Sequence, residues 1–181
     1  RHIVEEMRGL IEDSRSASYL LAVSGGVDSM CLADMWVRAY GSEGCAIAHC
    51  NFNLRGEDSD ADEALVTQWS DDHRVLLHKT SFDTVGYASA NGSSIEMAAR
   101  ELRYRWFAQL CADHGYKAVV VAHHADDNAE TLVLNMVRGA GLKGLTGMKP
   151  ISTSAYGTII VRPLLTFTRK QIEGHAFAWK V

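Results

Sequence analysis

No stretch of the sequence approaches the run of about 20 apolar residues needed to cross a bilayer as a helix. The opening Arg1-His2-Ile3-Val4-Glu5-Glu6 reads as the start of an amphipathic helix rather than a signal peptide. No membrane partner is therefore expected. The four cysteines, Cys31, Cys45, Cys50 and Cys111, include no Cys-x-x-Cys pair, which argues against a zinc ribbon or a redox motif. Free buried thiols in a reducing cytoplasm are expected instead. An excess of positive charge is missing too: 18 Lys and Arg against 22 Asp and Glu give a net charge of −4. Any nucleic-acid contact then needs a local basic patch or another domain. Internal repeats, low-complexity segments and clear linkers are absent. What is present, 181 residues of which 47% are hydrophobic, suits one α/β domain with a sizeable core.

Strand and helix signals alternate along the chain. Helices are predicted at Val4 to Ile11, Val27 to Tyr40, Asp58 to Asp71, Ser93 to His114 and Ala125 to Arg138, with a last one from Thr168. Strands are predicted at Tyr19 to Val23, Cys45 to His49, Val75 to His78, Ala118 to Ala122 and Thr158 to Val161. Ser93 or Ser94 can cap the long helix with Glu96 near the reciprocal position, and Gly115 ends it. This alternation predicts a doubly wound, mostly parallel five-stranded sheet with helices on both faces. Ligands of such sheets bind beyond the carboxyl ends of the strands. Three loops rich in chemistry fall there: 24–29, 49–55 and 123–127.

The first is Ser24-Gly25-Gly26-Val27-Asp28-Ser29, directly after Leu20-Leu21-Ala22-Val23. A turn of small residues opening a helix aims backbone N–H groups and the positive helix end at one spot. Gly25 and Gly26 permit positive φ and close ligand approach. Ser24 and Ser29 add hydroxyls, and Asp28 can hold Mg²⁺ or an amine. The plainer alternative is a strand–turn–helix joint with a Ser or Asp cap. It is not a Walker A loop, because Gly-Lys-Ser/Thr is missing.

The second loop carries His49, Asn51 and Arg55-Gly56; Arg55 either clamps a phosphate or carboxylate or is simply solvated. Inside the long helix, Glu96, Arg100, Arg103 and Phe107 share a face. They form either a solvated ion-pair stripe or a guanidinium aimed at the site. The third loop, His123-His124-Ala125-Asp126-Asp127, enters a helix; its acids suit the helix dipole, and Asp127 with Glu130 could hold a cation. Adjacent histidines lack the spacing of zinc helices. Gly139-Ala140-Gly141-Leu142-Lys143-Gly144 matches Gly-x-Gly-x-x-Gly by letter, but it follows a helix, so it is read as a mobile loop with Arg138 and Lys143 available for phosphate.

Ser24-Gly25-Gly26-Val27-Asp28-Ser29 after an apolar strand resembles the PP-loop of the ATP pyrophosphatases. Three further segments make the resemblance more specific: Leu54-Arg55-Gly56-Glu57-Asp58-Ser59-Asp60, Glu96-Met97-Ala98-Ala99-Arg100, and His123-His124-Ala125-Asp126-Asp127-Asn128-Ala129-Glu130-Thr131. With Arg138-Gly139-Ala140-Gly141-Leu142 and Arg162-Pro163-Leu164-Leu165 they resemble the N-terminal catalytic domain of the tRNA(Ile)-lysidine synthetases. Asn53 stands where that family often has His, and Asn128 where Gln is usual. The resemblance implies an adenine nucleotide alpha hydrolase-like fold over residues 1–181, the N-terminal part of a longer chain whose tRNA-binding domains are absent here. It implies ATP and Mg²⁺ as cofactors, with a CAU-anticodon isoleucine tRNA and L-lysine as partners; homodimerisation is left open. ATP would adenylate the C2 oxygen of the wobble cytidine, lysine would displace AMP, and pyrophosphate would be released.

The same resemblance implies roles by residue. Asp28, Arg100 and Asp127 are catalytic, and Asp28 binds the metal. Ala22, Val23, His49 and Asn51 line the adenine pocket, and Ser24, Gly25, Gly26 and Ser29 hold pyrophosphate. Arg138 and Gly139 close over the nucleotide. Arg55, Arg103, His123, Asp127 and Glu130 bind substrate. Another PP-loop tRNA-modifying or adenylating enzyme, or a nucleotide-binding module without catalysis, are the alternatives.

Overall fold

A computed structural model describes residues 18–137 and 147–181. The helix expected at Val4 to Ile11, the loop from Gly139 and the residues Arg138, Gly139 and Lys143 lie outside the described residues. Within them, β1 (Tyr19–Ala22), β2 (Cys45–Asn51), β3 (Leu76–Ser81), β4 (Val119–Val120), β5 (Ile151–Thr153) and β6 (Ile159–Val161) form one sheet of order β3-β2-β1-β4-β6-β5. Every pairing is parallel except β5 with β6. The central strand β1 sits in register with β2, Tyr19 beside Cys45 and Ala22 beside Ala48.

Side chains alternate across a strand, so β1 serves two cores. Tyr19 and Leu21 join α1 (Val27–Tyr40), α2 (Glu57–His73) and α6 (Arg169–Trp179) on one face. Leu20 joins Tyr104, Phe107 and Leu110 of α4 (Ile95–His114) on the other. Trp36 is fully buried at the centre of the first core, its ring 5.2 Å from Tyr19 and 4.7 Å from Tyr40. Truncating such a residue costs about 3–5 kcal/mol. Helices therefore cover both faces, as the alternation predicts.

The sheet has six strands, one more than expected. β5 is only Ile-Ser-Thr, too short for any periodicity to register. It hairpins onto β6 through Ser154, whose hydroxyl accepts the N–H groups of Tyr156 and Thr158, and through Gly157 at φ +80°. A short helix, α3 (Thr84–Asn91), is also unanticipated; Asp83 caps it by accepting the Gly86 N–H at 2.9 Å. Ser94, not Ser93, caps α4, accepting from Met97 N–H. Glu96 is then the second helical residue and forms no capping box. The box forms on α6 instead, between Thr168 and Gln171. Gly115 closes α4 at φ +71°. The helix expected at Ala125 to Arg138 is α5 (Ala125–Val137), and it buries none of its residues.

Candidate active site

The turn between β1 and α1 is tied by its two serines. Ser29 Oγ donates to the Gly26 carbonyl at 2.8 Å and accepts the Ser24 N–H at 3.1 Å, while the two hydroxyls meet at 3.2 Å. Gly25 has φ +93°, as its place in the turn requires; a Cβ there would sit 2.7 Å from Asp62 Cβ. Gly26 differs from expectation, with an ordinary extended φ of −72°, and serves as N-cap without any side-chain cap on α1. The first N–H groups of α1 are thus left for an outside acceptor.

Beside this turn lies a cavity of about 220 Å³. Its walls are Ala22, Val23, Ser24, Gly26, Asp28 and Ser29 from the first loop, Ala48, Cys50 and Phe52 from the second, and Arg103, Tyr104, Phe107, Val121, Ala122 and His123. The apolar stretch between Ala48 and Phe107 leads to a polar end at the serines and Asp28. That gradient fits a flat ring attached to an anionic tail.

Asp28 stands at the polar end. Its Oδ1 is buried with no hydrogen-bond partner. Its Oδ2 lies 3.6 Å from His124 Nε2 and 3.5 Å from Arg169 Nη1. His124 Nδ1 accepts the Asp127 N–H, which leaves its Nε2 facing Asp28. A buried carboxylate oxygen with no partner is an incomplete arrangement, and a hard cation would complete it. No cluster of three His, Cys, Asp or Glu that could cage a metal occurs among the described residues. Mg²⁺ suits such a setting, since it is held by one or two carboxylates together with phosphate oxygens and water.

A family model for the PP-loop domain matches residues 1–181. The chain belongs to the PP-loop domain family. It is 44% identical to a tRNA(Ile)-lysidine synthase from Parabacteroides distasonis over 98% of its own length and 40% of that protein's. It is 51% identical to one from Porphyromonas gingivalis over 90% and 34%. The chain therefore spans two-fifths or less of these two curated relatives. Among solved structures, the U34-tRNA thiolase NcsA from Methanococcus maripaludis superposes with a TM-score of 0.79 at 13% identity, over 99% of this chain and 63% of that one. An NH₃-dependent NAD synthetase from Campylobacter jejuni superposes at 0.67 and 14%, over 98% of this chain and 70% of that one. At such identities these two establish the fold alone.

With the PP-loop placed, the other expected site residues sort by geometry. Ala22, Val23, Arg103 and His123 line the cleft with the loop residues. His49 and Asn51 do not. On β2 every second residue faces the α4 side, so Ala48 and Cys50 meet the cleft while His49 and Asn51 point to the opposite face. His49 Nδ1 donates to the Val23 carbonyl at 2.9 Å, and Asn51 Nδ2 donates to Asp60 and Glu63 of α2. These two brace the loop from behind. Arg55 is engaged at 2.6 Å with Asp62 on the surface, and Glu130 is exposed on α5. Asp127 Oδ2 accepts the His124 N–H at 2.9 Å, the helix-start role its position suggests. Arg100 lies outside the cleft, in a second cavity. Cys50 stays a thiol, because burial pushes it up to about 12.

The two departures from the family pattern have local work. Asn53 takes the left-handed φ of +53° that Asn tolerates, and donates to Ser81 Oγ and the Phe82 carbonyl. Asn128 Oδ1 accepts the Met148 N–H.

Sequence reasoning gave Arg162 no role, yet it organises the cleft histidine. Its Nε donates to His123 Nδ1 at 3.2 Å, leaving the proton of His123 on Nε2. Burial, and then the charge of Arg162, pull His123 down to about 4. The imidazole is a neutral donor throughout the physiological range. A histidine depressed in the folded state contributes stability that is present above its ordinary 6.5 and drains away as pH falls toward 4. NMR titration of the His123 ring will show a midpoint near 4; a midpoint above 6 would refute the pairing. The available signal was Arg162-Pro163 directly after a parallel strand, at the same sheet edge as the other loops.

Proposed function

We propose that this PP-loop domain adenylates the wobble cytidine of a CAU-anticodon isoleucine tRNA and ligates L-lysine to it. The carrying observation is the serine-tied loop: it ends in an uncapped helix start and a half-satisfied Asp28, at the polar end of an apolar cleft. The tRNA and lysine come from the likeness to the lysidine synthases.

Adenine rests between the apolar walls at Ala22, Val23, Ala48 and Phe52. The β and γ phosphates lie on the N–H groups and hydroxyls of Ser24, Gly25, Gly26 and Ser29. The C2 oxygen of cytidine attacks the α phosphorus, the bond to the bridging oxygen breaks, and pyrophosphate leaves. The side-chain amine of lysine then attacks C2, and AMP departs with its oxygen. Arg103 and the Nε2–H of His123 donate toward the charge gathering on the α phosphate. Asp127 and Glu130, three residues apart on one helix face, receive the ammonium of lysine, and one of these carboxylates takes the proton it sheds to become the attacking amine. The family resemblance assigns Arg138 and Gly139 to the nucleotide; both lie outside the described residues. Asp28, with the phosphates, would hold Mg²⁺, which supplies charge neutralisation as the phosphate bond breaks.

The test uses ATP labelled at the β phosphate and the complete protein that carries this domain. Label will leave as pyrophosphate only when the CAU tRNA is present, and labelled lysine will enter the RNA. Release that needs a different acceptor assigns the domain to another PP-loop reaction. ATP binding with no release under any acceptor makes it a non-catalytic module.

A further inference from the structure

A second cavity of about 430 Å³ opens between α4 and the β5–β6 hairpin. It shares one wall residue, Tyr104, with the cleft. Arg100 and Met97 of α4 form one side, and Ser152, Tyr156 and Arg162 the other.

The charges around it do not balance. Arg100 and Arg103 sit 5.0 and 5.4 Å from the Tyr104 ring centroid. Neither these two nor Arg162 forms an ion pair with a carboxylate among the described residues. The one acid lining the cavity, Glu101, is committed elsewhere: its Oε1 accepts Tyr87 at 2.9 Å and Arg105 at 2.6 Å. Arg162 is only 8% exposed, and its hydrogen-bond partners among the described residues, the Lys149 carbonyl, Ser152 Oγ and His123 Nδ1, are all neutral. A buried cation without a counter-ion is costly, and such groups are normally paired. Among the described residues no carboxylate pairs with these cations, which suits the site to an anionic ligand.

The rest of the lining says which kind. Tyr156 is 40% exposed and Met97 65% exposed, which puts an aromatic ring and an apolar chain on facing walls beside the cations. Single-stranded RNA is gripped by this combination of guanidinium for phosphate and aromatic ring for base. Tyr104 is common to both cavities, so ligands in the two would lie on either side of one residue.

We propose that the second cavity is an RNA subsite, which takes the phosphodiester and base of the nucleotide next to the reacting cytidine. Arg100 and Arg162 hold the phosphate, and the base stacks on Tyr156. This rests on the reading of the domain as acting on RNA, and it goes beyond that reading by assigning a place for a neighbouring nucleotide.

The experiment measures affinity of the complete protein for a fluorescent CAU anticodon stem-loop, with ATP affinity alone as the folding control. Met97 is exposed, so either charge is accommodated there. Met97→Glu will weaken RNA binding about tenfold and Met97→Lys will tighten it, with ATP affinity unchanged in both. Tyr156→Ala will lose about tenfold or more, and Tyr156→Phe will keep the affinity. Equal RNA affinity across the Met97 pair overturns the proposal. So does a charge order seen for inorganic phosphate or AMP but not for RNA, which makes the cavity a free-anion site. Charge-ordered RNA binding without RNA-dependent pyrophosphate release leaves this subsite standing and removes the lysidine reading instead.

Discussion

Asp28→Asn will lower RNA-dependent pyrophosphate release by about a hundred- to a thousandfold, the scale for losing one group that balances transition-state charge. The substitution is isosteric, so packing around α1 is unchanged. It exchanges a carboxylate oxygen that is buried and unpartnered for a neutral carbonyl or an amide NH₂. Neither can complete a cation's shell as a carboxylate does. The neighbours on the other oxygen, His124 Nε2 and Arg169 Nη1, would at the same time lose their negative charge. Steady-state assay with thermal unfolding as control tests it. An unchanged midpoint with near-normal turnover sinks the assigned role.

A large stability effect belongs to a buried pair further along α1. Asp34 on α1 and His175 on α6 are 6% and 4% exposed, and His175 Nε2 donates to Asp34 Oδ2 at 2.7 Å. Arg38 Nε reaches the same oxygen at 2.7 Å. Burial alone would raise the Asp34 carboxyl. The hydrogen bonds from His175 and Arg38 outweigh it and hold the group below its ordinary 3.8. His175→Leu leaves that carboxylate buried with half its support and will cost about 3 kcal/mol or more in denaturant unfolding. Changing Asp34 to Leu as well removes the stranded charge, and the double variant will recover most of the loss. The sign with pH follows from the depressed carboxyl: its contribution is present above pH 3.8 and vanishes as pH falls through the lower folded value. A single-variant loss under 1 kcal/mol would mean that the pair is not coupled.

Much of this architecture was legible because parallel strands with helical crossovers write an alternating pattern, and Leu20-Leu21-Ala22-Val23 into Ser-Gly-Gly is unambiguous locally. β5 and α3 were not legible, being three and eight residues long with little burial to impose a period. At the site, residues within the loop were readable since they are adjacent in sequence. His49 and Asn51 were misplaced for a physical reason: the loop was assigned to the edge correctly, but the parity of β2 decides which side chains face the cleft, and Ala48 and Cys50 have it. Arg162 and Arg169 act on residues 39 and 141 positions away, His123 and Asp28, and only the fold brings them together.

The contacts between α1 and α6 repeat at one interval. Asp28 meets Arg169 and, one and two-thirds turns later on both helices, Asp34 meets His175. Matching steps in the same sense mean that the two helices run side by side in one direction. Their dipoles are then aligned, head beside head, which is mutually repulsive. Both positive ends arrive at the phosphate loop, and a polyanion bound there relieves the repulsion as well as filling the loop. Nucleotide should therefore act as a splint between the two helices, raising the unfolding midpoint by more than the loop contacts alone would give.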